Sequence, residues 1–501
     1  MSEPAILKVK GDKIVNSEGN SILLRGAGLG GWMNQENFIT GYPGCEFQIR
    51  EALDDVIGPE KAAFYWDKFL EYFFTEADAI FYKSLGLNAI RIAFNYRHFE
   101  DDMNPRVLKP EGFKHLDRVV EICAKVGIYT ILDYHAAAGG QNIDWHSDNP
   151  THVASFWVHK DFQDRAIWLW EELARHYKGN PWIAGYNILN EPTDPTHSRL
   201  QHWYDRCIKA IHAIDDEHII FLDGNTFASD FSHFEGRLHE RWPNCVYSVH
   251  DYSSFGFPSS PEKYLGSEEQ KARVRRDYLD KTAWMRERGL PIWNGEFGPV
   301  YARRQFDGEP TDEINESRYM LLKDQLDVYD QEQISWSIWL YKDIGFQGTA
   351  LTHPVPGVEA HFGLFSCVVG MVYVGLDTPY MKRFEAFLLK KYTLAVDSWG
   401  ADIKSIKHIQ ETIEKFITDA VPDPSHLEVY PYPLWGIRKR VGRLVRHILL
   451  SEYLVREWAE HFRGLDEGQL DELAASFKFE NCARRDGLNA VLREHHKVST
   501  T

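Results

Sequence analysis

The chain has 501 residues, more than one hydrophobic core usually supports, so a large barrel with an appendage fits the length better than a small single domain. Its net charge of −18 leaves no electrostatic footprint for nucleic acid or anionic lipid. No apolar run is long enough to cross a membrane. The opening stretch MSEPAILKVKGDKIV lacks a basic start followed by an apolar segment, and six cysteines are scattered without paired spacing. Both features lead to the expectation of a cytoplasmic chain with reduced thiols, or of a secreted one whose leader has been removed.

In chain order, ILKVKGDKIVNSEGNSIL reads as a hairpin placed to lid a barrel bottom. Strands are predicted at Ile22–Gly28, Asn88–Phe94, Ile128–His135, Ile183–Glu191, His218–Asn225, Val246–Tyr252, Pro291–Phe297 and Ile334–Tyr341. Between them, stretches such as FKHLDRVVEICAKVG and KDFQDRAIWLWEELARHYKG carry apolar residues at three- and four-residue spacing, the mark of amphipathic helices. Eight strands alternating with helices predict an α/β fold, a (β/α)8 barrel covering residues 1–397 with its hairpin. From 398 to 501 the pattern turns helical, at Ile403–Ala420, Gly436–Arg463 and Leu470–Glu494, and is expected to pack on the barrel. The basic run Arg438–Arg446 reads as a solvated helix face.

This fold builds its sites at the carboxyl ends of the strands, and six of the eight predicted ends are polar, titratable or aromatic. Strand two carries Arg91 and Asn95, strand three Asp133 and His135, and strand four Asn190 and Glu191. Strand six carries His250, Asp251 and Tyr252, strand seven Glu296, and strand eight Trp336 and Trp339. Any one of these has an ordinary structural reading; their convergence on one rim favours a site. Glu191 and Glu296 would face one another across the barrel mouth, the pairing that glycoside hydrolysis needs. Two carboxylates so close have their proton affinities pushed apart. Glu296, nearer Arg91 and the Tyr252 hydroxyl, is expected to stay ionised, leaving Glu191 to hold the shared proton.

The motifs LRGAGLGGW, NAIRIAF, LDYH, ILNEP, HDY and GEFG, with the strand-eight tryptophan, occur in an order and spacing that resemble glycoside hydrolase family 5 of clan A over roughly residues 20–345. The resemblance implies Glu191 as acid/base and Glu296 as nucleophile of a retaining double displacement. It implies Asn190 on the sugar 2-hydroxyl, Arg91 and Tyr252 supporting the nucleophile, and His135 and His250 lining the sugar subsite. Trp339 would be its aromatic floor, with Trp336 as the rival. LGGWMNQENF and LDYHAAAGGQN are most similar to exo-acting β-1,3-glucanases and β-glucosidase-type members, implicating Glu36, Asn142 and Asp144 in gripping a terminal glucose. The AAAGG stretch, the missing leader and the C-terminal helices depart from those enzymes.

The long loops Ala136–Lys160 and Lys342–Asp377 are expected to close a groove into a pocket for chain ends. A β-glucosidic, exo-acting hydrolase is therefore the reading. Its alternatives are an endo-β-glucanase or β-mannanase, a glucosidase of glycolipids or of aryl or alkyl glucosides, and an inactive sugar-binding barrel. Substrate is the sole partner expected, and the oligomeric state stays open. No cofactor or metal is expected. The GxGxxG at Gly26–Gly31 opens no convincing helix, His146, Ser147, Asp148 and His152 match no metal spacing, and no Gly-x-Ser-x-Gly elbow is apparent.

Overall fold

The computed structural model describes residues 5–36, 39–257, 260–304, 309–344, 370–388 and 453–499, together with positions 408, 412 and 415. Eight parallel strands close into a barrel: β1 (Arg25–Met33), β2 (Ala89–Asn95), β3 (Tyr129–Ala136), β4 (Ile183–Asn187), β5 (Ile219–Asp223), β6 (Cys245–His250), β7 (Ile292–Phe297) and β8 (Ser335–Ile338). The helices predicted between them form at Gly112–Lys125, Lys160–Tyr177, Arg199–His212 and Glu268–Arg286.

Side-chain alternation along β2 explains both layers. Ile90, Ile92 and Phe94 point outward into the large core shared with the helices, whereas Ala89 and Ala93 belong to the clusters inside the barrel. Arg91 and Asn95 share the inward register and so reach the axis. The hairpin strands Lys8–Lys10 and Lys13–Val15 sit at the amino-terminal end. There Leu7 and Ile14 pack with Leu24, Ala184, Val246 and Trp293, which stops the barrel bottom as expected.

Strand ends differ from the sequence pattern where the backbone turns toward the mouth. β4 stops at Asn187 instead of continuing to Glu191, because Glu191 adopts a left-handed conformation, φ 47°. β1 starts three residues late and runs on to Met33, and β8 stops at Ile338. Pairing register shifts between Val249 and His250 and between Trp336 and Ile338, the kind of irregularity that re-aims side chains at a barrel rim.

The described C-terminal residues pack on the barrel. Helices Tyr453–Glu460, Glu467–Ala475 and Asp486–Ser499 contribute Trp458, Leu470 and Leu488 to the main core, and the turns after the first two add Phe462 and Phe477. Strand Cys482–Arg484 completes a small sheet with Lys342–Asp343 and Val372–Val374. The 397/398 boundary, Ile403–Ala420, the first part of Gly436–Arg463 and the run Arg438–Arg446 lie outside the described residues, apart from three isolated positions. Cys45, Cys123, Cys207, Cys245 and Cys482 form no disulfide, and the first four are buried. Among the described residues no helix is long and apolar enough to cross a membrane.

Candidate active site

The site is organised around one buried guanidinium. From β2, Arg91 donates to Glu296 Oε1 (2.7 Å), Asn190 Oδ1 (2.6 Å) and Asn187 Oδ1 (3.0 Å), and Asp133 lies 3.1 Å away. Burial alone would lower its proton affinity, but the carboxylates of Asp133, Glu296 and Asp223 outweigh that and raise it. Arg91 is thus a permanent charge that ties β3, β4 and β7 together. Tyr252 donates to the other carboxylate oxygen, Glu296 Oε2, at 2.9 Å. Glu296 is therefore held at both oxygens.

Glu191 reaches the same mouth from the other side. Its amide donates to Asp223 Oδ2 (2.9 Å) and its carbonyl accepts from Asn142 Nδ2 (3.1 Å), which together hold the left-handed backbone. His250 Nδ1 lies 2.6 Å from Glu191 Oε1 and 3.6 Å from Glu296 Oε2. One ligand-type atom from each of Glu191, His250 and Glu296 falls within 4.8 Å of the others. The two carboxyl groups predicted to converge are brought together.

Proton placement differs from expectation. Burial raises the affinity of Glu191, but hydrogen bonds from His146 and His250 outweigh it and hold the carboxyl well below its usual range. Burial disfavours the charged forms of both imidazoles, and the carboxylates beside them reverse this and raise both. Both imidazoles therefore favour the ionised form of Glu191, whereas a raised proton affinity is the expectation from the carboxylate pair alone.

His135 links Asp133, Glu36 and Asn190 along one wall of the mouth. His135 Nδ1 meets Asp133 Oδ2 at 2.7 Å, while its Nε2 lies 3.4 Å from both Glu36 Oε1 and Asn190 Nδ2. Burial would neutralise His135, but Asp133 and Glu36 prevail and lift its pKa to about 10, so it is an imidazolium. Glu36 Oε1 is buried and, apart from this contact with His135, accepts no hydrogen bond among the described residues. The Trp339 indole stacks on His135, with centroids 5.2 Å apart and planes 1° from parallel. Trp336 turns outward against Phe297 and His495, which resolves the choice between the two tryptophans in favour of Trp339.

Asn142, expected to share with Glu36 the grip on a terminal glucose, engages the Glu191 carbonyl, the Asp144 amide and His146. Sequence motifs missed His146, which comes within 3.0 Å of Glu191 Oε2, and the supporting roles of Asn187, Asp133 and Asp223. A polar residue closing strand five was the available signal for Asp223; His146 had none. The loop carrying His146 is anchored at Asp148, which accepts from Arg97 Nε and the Glu46 amide, both at 2.7 Å. His152 bonds the Ile143 carbonyl instead of joining a cluster with His146. Residues 345–369 of the strand-eight loop lie outside the described residues.

Besides Glu191–His250–Glu296, one group among the described residues, His197–Asp230–His233, could hold an ion. The Asn225 amide, oriented by its two bonds to Asp194, already contacts His197 Nδ1 at 3.0 Å, so that nitrogen is committed.

A parallel barrel with a guanidinium-held carboxylate facing a second one across its carboxyl end defines a glycosidase. The chain belongs to glycosyl hydrolase family 5: the family described as Cellulase (glycosyl hydrolase family 5) matches residues 60–345. It is 63% identical over 491 residues, 98% of each chain, to a protein named Beta-xylosidase from Phanerodontia chrysosporium. It is 25% identical over 361 residues, 65% of this chain and 86% of the other, to Probable glucan 1,3-beta-glucosidase A of Emericella nidulans. Among solved structures, endoglucanase Cel5A from Thermotoga maritima is 18% identical with a TM-score of 0.46, over 64% of this chain and 89% of that one.

Proposed function

We propose that this family 5 hydrolase releases a terminal sugar from β-glycosides, with β-glucosides as substrates, by double displacement with retention of configuration. The observation that carries this reading is the convergence of Glu191 and Glu296 on one imidazole, His250 Nδ1 lying 2.6 Å from Glu191 Oε1 and 3.6 Å from Glu296 Oε2. Retaining enzymes hold their carboxyl groups about 5–5.5 Å apart, whereas inverting ones leave about 6.5–9.5 Å for a water.

Glu296, ionised between Arg91 and Tyr252, attacks the anomeric carbon as Glu191 gives a proton to the departing oxygen. The glycosidic bond breaks and a glycosyl ester forms on Glu296. A water then loses its proton to Glu191, attacks the same carbon and frees Glu296. Asn190, fixed by Arg91, is suited to the sugar 2-hydroxyl, and Trp339 to the apolar face of the ring. Exo action is supported by Glu36: a buried carboxylate oxygen beside His135 that accepts no hydrogen bond among the described residues suits the hydroxyls of a non-reducing end.

The name of the 63% identical relative favours β-xylosides as a second reading. Hydrolysis of 4-nitrophenyl β-glucoside, β-xyloside, β-mannoside and β-galactoside beside laminarin ranks the readings. Faster turnover of the xyloside would replace glucose by xylose, and cleavage confined to internal bonds of long polymers would overturn exo action. Glu191→Ala and Glu296→Ala should each lower kcat by several orders of magnitude. Azide should rescue Glu191→Ala with a β-glycosyl azide and Glu296→Ala with an α-glycosyl azide. Undiminished activity in either variant would end the assignment.

A further inference from the structure

Both oxygens of Glu191 are occupied by imidazoles. His250 Nδ1 lies 2.6 Å from Oε1, and His146 Nε2 lies 3.0 Å from Oε2. A leaving-group oxygen must displace one of them to take a proton. His250 is the fixed one: it belongs to β6, its side chain is 1% exposed, and Glu296 and Asp223 each lie 3.6 Å away. His146 keeps 14% of its side chain exposed, sits on a short 3-10 turn, and faces the Phe227 ring at 6.4 Å.

The surroundings of His146 Nε2 are contradictory in a useful way. Asn142 Nδ2 lies 2.7 Å from it, and the orientation of that amide is fixed because Nδ2 donates to the Glu191 carbonyl and Oδ1 accepts from the Asp144 amide. A proton on Nε2 suits Glu191 Oε2 but meets the amide hydrogens. With the proton on Glu191, Nε2 can accept from the amide instead. Asn142 thus works against the charge attraction that otherwise keeps the proton on the ring, narrowing the difference between the two arrangements. The turn itself is braced, since Asn34 donates to the His146 carbonyl (3.1 Å) and Asp148 is tied to Arg97 and Glu46. The other charged groups facing His146 are His135, with ring centroids 5.6 Å apart, and Glu36.

We infer that His146 is a positioning residue for general acid catalysis: it stores the proton that Glu191 delivers and yields the leaving-group side of Glu191 Oε2 to the incoming glycosidic oxygen. This rests on Glu191 being the acid/base. In the first step the Nε2 proton passes to Glu191 Oε2 and on to the glycosidic oxygen. The bond from that oxygen to the anomeric carbon breaks, Glu296 takes the glycosyl group, and His146 is left neutral. In the second step the proton lost by water returns through Glu191 to His146, the new hydroxyl binds the anomeric carbon, and the Glu296 ester opens. Atoms and charge balance over the cycle.

The test compares His146→Ala and His146→Gln with the unaltered enzyme on two aglycones, 2,4-dinitrophenyl and n-octyl β-glucoside, or the matching xylosides if those turn over faster. An octyl leaving group needs the proton and a dinitrophenolate does not. Both variants should lose about tenfold or more in kcat/KM on the octyl glycoside and less than about threefold on the dinitrophenyl one. Because the ring retains its proton to higher pH than usual, its loss should move the alkaline limb of the octyl pH profile to lower pH. Equal losses on both aglycones, an unmoved alkaline limb, or full recovery of the profile by His146→Gln would overturn the inference. Glu191→Ala, assayed in parallel, separates the failures. If it is inactive on the octyl glycoside while the His146 variants match the unaltered enzyme, only the inference falls; if it is itself active, the acid/base assignment falls too.

Discussion

The Trp339 indole and the His135 imidazole lie face to face, 5.2 Å between centroids and 1° from parallel, although strands β8 and β3 are not neighbours in the barrel. The stack is possible because β1 beneath it carries no side chains at two positions. A Cβ built on Gly28 would lie 2.4 Å from the Trp339 ring, and one on Gly30 would lie 2.6 Å from it. Glycine at these places in LRGAGLGGW is a packing requirement for the Trp339 indole.

Gly28→Ala should therefore displace Trp339 and lower kcat/KM by about tenfold or more, equivalent to roughly 1.4 kcal/mol. Trp339→Ala should lose at least as much, mostly through KM. A Gly28→Ala enzyme that folds and keeps unaltered kinetics would show that the indole position does not matter to turnover.

Arg91 supports Glu296, Asn190 and Asn187 at once, so a shorter ammonium cannot replace it. Arg91→Lys should lower kcat by about 10²–10³-fold, the scale of losing one aligned donor at a developing charge. Arg91→Met should in addition destabilise the fold by about 3–5 kcal/mol, because it removes the buried cation that Asp133 Oδ1 and Glu296 Oε1 face and leaves Asp133 only His135 as a charged partner. Denaturant unfolding beside steady-state kinetics separates the two effects.

Much of the arrangement was legible in the chain. The eight strands and the facing glutamates followed from alternating apolar periods and from polar residues at strand ends, because β2 and β3 place every second side chain on the barrel axis. Trp336 and Trp339 could not be separated, since three residues and one register shift decide which faces inward. Glu191 looked like strand because its left-handed backbone depends on Asp223 and Asn142, both distant in sequence. His146 was invisible for a related reason: it reaches Glu191 only after Asp148 is captured by Arg97 and Glu46, a tertiary event that no local spacing encodes.

That anchor makes a pH prediction. Burial alone would raise the Glu46 carboxyl, but His98 and Arg50 outweigh it and bring its pKa from 4.5 down to about 2. A depressed folded value contributes stability that is fully present above 4.5 and lost as pH falls toward 2. Its size is at most about 3 kcal/mol. Glu46→Gln should lower the midpoint of thermal unfolding at pH 7, and the gap from the unaltered protein should shrink as pH drops below 4.5. A gap that stays constant with pH would assign the loss to packing alone.

The C-terminal residues bear on the site through the segment that follows β8. Trp458 is fully buried against Tyr42 and Phe462, each 4.9 Å between centroids, and Lys342, three residues beyond Trp339, donates to the Phe477 carbonyl at 2.9 Å and pairs with Asp78 at 2.7 Å. Emptying the Trp458 site should cost about 3–5 kcal/mol. Because Tyr42 and Phe462 line the vacated space while Arg91 and the glutamates do not, Trp458→Ala should unfold at lower denaturant yet keep the pH dependence of kcat while folded. A variant of unchanged stability would mean that these helices only rest on the barrel, and a shifted pH profile in the folded protein would mean that they help to position the strand-eight end of the site.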